Sequence, residues 1–109
     1  MNFFYVYKGD ANPLFSPEFR RGGLAAVFSC VILQVLNTPT LTLAVEGRNE
    51  DDTSFTTMGT FSAITTAGVK FLDQGTLKEI LRFRFDVAGA SANSGVCVEM
   101  VGPQWRPYT

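Results

Sequence analysis

The chain has 109 residues, enough for one domain whose core needs no metal or disulfide staple. A formal net charge of −1 and a pI near 5.2 exclude a general electrostatic pull on nucleic acid. Apolar residues make up 46% and charged residues only 17%, against a share of about 25% charged in ordinary globular domains. That balance points to a protein that covers part of its surface with partners, as an oligomer or assembly subunit.

Residues 3–7 (FFYVY) read as a short aromatic strand. From Lys8 to Gly23 the character changes: Gly9, Pro13, Pro17, Gly22 and Gly23 argue against a regular element. Leu14, Phe15 and Phe19 are nevertheless too apolar for solvent. The stretch 8–23 is therefore expected to be an irregular arm, docked on a neighbouring subunit or packed over its own body. Leu24–Leu36 (LAAVFSCVILQVL) is apolar on both parities and rich in Val and Ile, and the turn signal Asn37-Thr38-Pro39 follows it. It reads as a mid-sheet strand with one side in the core and the other against another sheet or chain.

Thr38–Phe61 is the centre of the pattern. Leu41, Leu43 and Val45 alternate with Thr40, Thr42, Ala44 and Glu46, GRNEDDTS forms a charged tip at 47–54, and Phe55–Phe61 returns in Thr and Phe. A period of two with a polar tip predicts a β-hairpin. Residues 62–70 are a short strand or a crossover loop, and Asp73-Gln74-Gly75 is a turn. Next, Leu81, Phe83, Phe85 and Val87 face inward while Arg82, Arg84 and Asp86 face outward. The small residues 88–95 lead to VCVEMV (96–101), which the pattern makes a second hairpin with 81–87. The tail 102–109, bracketed by Pro103 and Pro107, carries Trp105, Arg106 and Tyr108 and reads as a second extended arm.

The expected fold is a single all-β domain over 1–109, an antiparallel β-sandwich of the jelly-roll or immunoglobulin-like kind. It has six to eight short strands and irregular segments at 8–23 and 102–109.

There is no histidine, so the commonest general base and metal ligand is missing. Cys30 and Cys97 lie in apolar strand-like runs without metal-ligand spacing and read as buried free thiols. No phosphate-binding glycine loop or nucleophile elbow is present. The cluster Glu50-Asp51-Asp52 lacks the alternating spacing of a calcium loop and reads as a solvated tip. No catalytic, cofactor or metal residue is expected, and no small-molecule substrate. No basic region, apolar core and cleavage site opens the chain, and Leu24–Leu36 is too short and too polar for a bilayer. The expectation is a soluble protein made in the cytoplasm, with no membrane or nucleic-acid partner.

The residues expected to make protein contacts are Leu14, Phe15, Phe19, Arg20 and Arg21 in the first arm, Arg82 and Arg84 on a strand face, and Trp105, Arg106 and Tyr108 in the tail. Arg82 and Arg84 are expected to pair with the acidic tip of a neighbouring subunit and so set register in an assembly.

Three segments, LTLAVEGRNEDDTSFTTMGTFSAITTAGV (41–69), LKEILRFRFDVAGA (77–90) and the closing GPQWRPY (102–108), together resemble small virion structural proteins of tailed bacteriophages. The resemblance covers most of residues 22–108, and none of its motifs is catalytic. It implies a structural subunit of the virion: a capsid decoration (cement) protein on the head exterior, bound to the major capsid protein and to itself in a homo-oligomer such as a trimer. A tail or head–tail connector component is the nearest alternative. From a different class comes a carbohydrate-binding adhesion module, for which Trp105 is the sole tryptophan.

Overall fold

The computed structural model describes residues 2–7, 13–89 and 93–106. These form nine strands: β1 (Asn2–Tyr7), β2 (Leu14–Phe15), β3 (Phe19–Arg20), β4 (Ala25–Leu36), β5 (Thr40–Arg48), β6 (Thr56–Thr60), β7 (Gly68–Gln74), β8 (Ile80–Ala88) and β9 (Gly95–Arg106). One sheet has the order β1-β9-β4-β7; the other has β2-β8-β5-β6, with β3 also on β8. All pairings are antiparallel.

The pairings nest. β1 lies on β9, β2 and β3 on β8, β4 on β7, and β5 on β6. That is a two-stranded ribbon folded at the β5–β6 tip. It rolls up so that β9 also pairs with β4 and β8 with β5. With β2 and β3 as two pieces of one interrupted strand, this is the jelly-roll order.

The core lies between the sheets. Ala26, Phe28, Cys30 and Ile32 of β4 face Leu41, Leu43 and Val45 of β5 and Leu81, Phe83, Phe85 and Val87 of β8, and all are buried. Phe28 meets Phe83 edge-on at 5.7 Å between ring centroids, and Phe4 stacks at 4.7 Å on Phe85. Both cysteines are buried free thiols.

The β5–β6 hairpin forms where the alternation put it, with its tip at 49–55. The second expected hairpin does not form: β8 pairs within one sheet and β9 within the other, so the connection after Ala88 crosses between layers. Alternation sets which side of a strand is buried but does not choose its neighbour. Asp73 and Gln74, placed in a turn with Gly75 by sequence, complete β7 instead, and the chain leaves the strand at Gly75.

The described parts of the two arms form strands rather than irregular segments, the first packed on the chain's own body as one of its two expected alternatives had it; 8–12 and 107–109 lie outside the described residues. Residues 14–20 pair with β8 through Leu14↔Phe85, Phe15↔Arg84, Phe19↔Leu81 and Arg20↔Ile80. Pro17, which has no N–H to donate, interrupts this ladder. Ser16 bridges the gap: its N–H donates to the Phe83 carbonyl at 2.9 Å, and its Oγ accepts the Phe83 N–H at 2.8 Å. Residues 102–106 are the last part of β9, paired with β4 at Val27↔Gln104, Ala26↔Trp105 and Ala25↔Arg106. Gly23 allows this closure, because a Cβ there would lie 2.0 Å from the Arg106 carbonyl oxygen.

Candidate functional site

Each sheet has an outer face, and the two differ in chemistry. On the β2-β8-β5-β6 sheet the outward side chains satisfy one another. Glu46 on β5 is opposite Arg82 on β8; it is buried at 5% exposure and accepts from Arg82 Nε at 2.8 Å. Arg84 reaches the same carboxylate at 3.7 Å and Asp86 at 3.1 Å. The Arg82 guanidinium is also stacked between two rings, 4.0 Å from the centroids of Phe15 and Phe55. Such stacking holds a planar cation while its edge donates hydrogen bonds.

The acidic tip closes on its own chain as well. Glu50 pairs with Arg20, and Asp52 lies 3.7 Å from Lys78. The Arg20 contact lowers the Glu50 pKa and raises that of Arg20, first through the hydrogen bond and then through the charge. Arg82 and Arg84, expected to pair with the tip of a neighbouring subunit, pair with Glu46 and Asp86 of their own chain. Glu46, on the strand itself, supplies the carboxylate that sequence reasoning sought at the tip.

The other expected contact residues are distributed as follows. Leu14, Phe19 and Trp105 are partly buried against the core, with Trp105 edge-on to Phe28 at 6.1 Å and to Phe19 at 6.4 Å. Arg21 donates to the Leu77 carbonyl, and Arg106 bonds Asp73 at 2.6 Å. Phe15 is 40% exposed, beneath Arg82. Tyr108 lies outside the described residues. Most of these residues hold the sandwich together, a role that polar and aromatic residues between prolines do not announce.

The outer face of the β1-β9-β4-β7 sheet is the contrasting surface. Register sets Ser29 beside Phe71 and Val101, Val31 beside Val69 and Glu99, and Val27 beside Asp73 and Gln104. Ala26, Phe28, Cys30 and Ile32 take the inner side, so Val27, Val31, Val69, Phe71 and Val101 point outward. Leu33, at a register shift in the β4–β9 ladder, joins them. Exposure reaches 48% at Leu33, 53% at Val69 and 68% at Phe71. The Asp73–Arg106 ion pair, Gln104 and Glu99 border the patch. An apolar centre with a polar border is the anatomy of a protein contact surface.

Val69 and Phe71 were missed because the pattern leaves 62–70 open as a short strand or a crossover loop and sets a turn at 73–75. The available signal was the alternation of Val69, Phe71 and Asp73 against Lys70, Leu72 and Gln74.

Two open depressions lie on the surface. One, of about 240 Å³, lies over Ala44 and is walled by Thr42, Thr57, Thr60, Arg84 and Asp86; the other, of about 280 Å³, is lined by Glu18, Phe19, Arg20 and Ile80. Among the described residues, no three His, Cys, Asp or Glu side chains converge as a metal site. No family model, curated protein or solved structure matches the chain.

Proposed function

We propose that this chain is a non-enzymatic structural protein of a phage virion, a capsid decoration (cement) subunit that stabilises the head by binding major capsid subunits. The observation that carries the reading is the apolar outer face formed by Val27, Val31, Leu33, Val69, Phe71 and Val101. A small, weakly charged domain that leaves such a face uncovered gains stability and solubility once a partner covers it. The mode of attachment differs from two clamping arms. Residues 14–20 and 102–106 are strand ladders of the body, so the subunit docks as a preformed surface. Rigid docking orders little new chain and loses less entropy than wrapping arms.

Co-sedimentation with heads of the encoding phage, prepared without this protein, tests the reading. The wild type should saturate the heads. Leu33→Glu should bind at least tenfold more weakly while melting within a few degrees of the wild type. Saturation at six or twelve copies on necks or tails would replace decoration with the connector reading. A second reading, a carbohydrate-binding adhesion module, draws on the hydroxyl-lined depression around Ala44. Binding on a glycan array that Thr60→Val and Arg84→Ala abolish would favour it.

A further inference from the structure

We propose that β7 is the contact strand of a two-fold homodimer, in which two copies join antiparallel, edge to edge, and merge their four-stranded sheets into one. This pairing is independent of the virion reading.

The argument begins with the sheet edges. A strand at an edge presents unpaired N–H and C=O groups that only another extended strand satisfies, and proteins usually blunt such edges. The edge formed by β2 and β3 is two short pieces interrupted at Pro17. β6 has five residues, and its ladder with β5 is kinked by a register shift between Val45 and Glu46. β1, the other edge of the same sheet, also pairs without a shift, but a two-fold pairing over its six residues would oppose residues of unlike parity. β7 has seven residues, contains no proline, and pairs without a shift from Ile32↔Gly68 to Ala26↔Gln74. Among the described residues no strand lies on its other side. Its two charged residues are Lys70, on the inner side with its partner Cys30, and Asp73, held at the outer border by Arg106, which leaves the centre of the outer edge to Val69 and Phe71.

Register then selects the occupant. Phe71 is the central residue of Gly68–Gln74. An antiparallel pairing of β7 with its own copy that uses all seven residues has a single register. It sets Phe71 on Phe71 of the other copy, Val69 on Asp73 and Lys70 on Leu72. Directly opposed residues share a face, so the outward residues of both copies stay outward. The most exposed large apolar side chain among the described residues, at 68%, is then covered by its twin. A slide by one residue in each strand leaves Phe71 outward but opposes it to Val69, with Lys70 on Lys70, or to Asp73, with Leu72 on Leu72, and either register leaves two residues of β7 unpaired. The same two-fold brings the apolar outer faces of the two copies side by side as one continuous surface.

The test is light scattering on the purified full chain, combined with cysteine cross-linking. The wild type should have twice the monomer mass, and Phe71→Glu should raise the dimer dissociation constant at least 100-fold while leaving the circular-dichroism spectrum unchanged. Under mild oxidation Phe71→Cys should form a covalent dimer, since opposed Cβ atoms lie within reach of a disulfide, whereas Val69→Cys, opposite Asp73, should not. The buried Cys30 and Cys97 give little background. A wild type of monomer, trimer or ring mass overturns the pairing, as does cross-linking of Val69→Cys equal to that of Phe71→Cys. A dimer that cross-links as expected but ignores phage heads supports this pairing and removes the virion reading.

Discussion

Arg82 donates from Nε to Oε1 of Glu46 at 2.8 Å, directly across the β8–β5 ladder, and the receiving carboxylate is 5% exposed. A carboxylate held that deeply depends on its cation, because removing one partner of a buried pair leaves a charge without compensation. Arg82→Ala should therefore destabilise the fold by about 2–3 kcal/mol, and Glu46→Gln by roughly 1 kcal/mol. Denaturant midpoints of the two single variants and the double variant check this: the double variant should lose less than the sum, as coupled residues do.

Closure of β9 onto β4 rests on the absence of a side chain at Gly23. Gly23→Ala would set a methyl 2.0 Å from the Arg106 carbonyl oxygen, and backbone cannot yield as a flexible side chain can. Trp105 lies in the same stretch of β9, so its fluorescence reports the closure. Gly23→Ala should red-shift the emission and lower stability by about 2 kcal/mol or more, the scale of forced overpacking. Trp105→Ala should cost about 2–3 kcal/mol, the lower end for a large aromatic, since the ring is only partly buried.

Ser16 provides an independent check that the first arm belongs to the body. Its hydroxyl accepts the Phe83 N–H at 2.8 Å at a buried site. Ser16→Ala strands that donor and should cost about 1–2 kcal/mol. Hydrogen exchange at the Phe83 amide should accelerate, while exchange in β4 should follow only the global change.

Burial pushes the Cys30 thiol from its ordinary 9.0 up to about 11, against smaller opposing effects of Lys70. The folded state thus holds the proton that the unfolded state releases. Stability from this group is complete below pH 9 and is lost as pH rises from 9 to 11. The loss over that window should be roughly 2 kcal/mol. Urea titrations at pH 8 and pH 10.5 should show the decline, and Cys30→Ala should remove most of its slope.

Legibility followed the inward side chains. Leu41, Leu43 and Val45, and Leu81, Phe83, Phe85 and Val87, alternate cleanly because each strand has one wet side, so strand, face and core were all readable. The partner of each strand was not: β8 and β9 are neighbours in sequence and lie in different sheets. Leu14, Phe15, Phe19 and Trp105 were recognised as anchors. Whether they grip the same body or another one depends on tertiary geometry, on Ser16 bridging at Pro17 and on Gly23 admitting the Arg106 carbonyl. The outer apolar face emerged only from cross-strand register, since Val31, Val69 and Val101 are ordinary valines until three strands place them together.

Because β1 is bound to β9 over six residue pairs, this ladder has no partner strand until residues 95–100 have emerged from the ribosome. The chain therefore carries β1 unpaired while everything between the two strands is made. The sandwich closes only once β9 is free to fold, at the slow rate set by sequence-distant pairing. A cell making many copies at once would hold a pool of half-rolled ribbons, for which chaperone capacity limits yield.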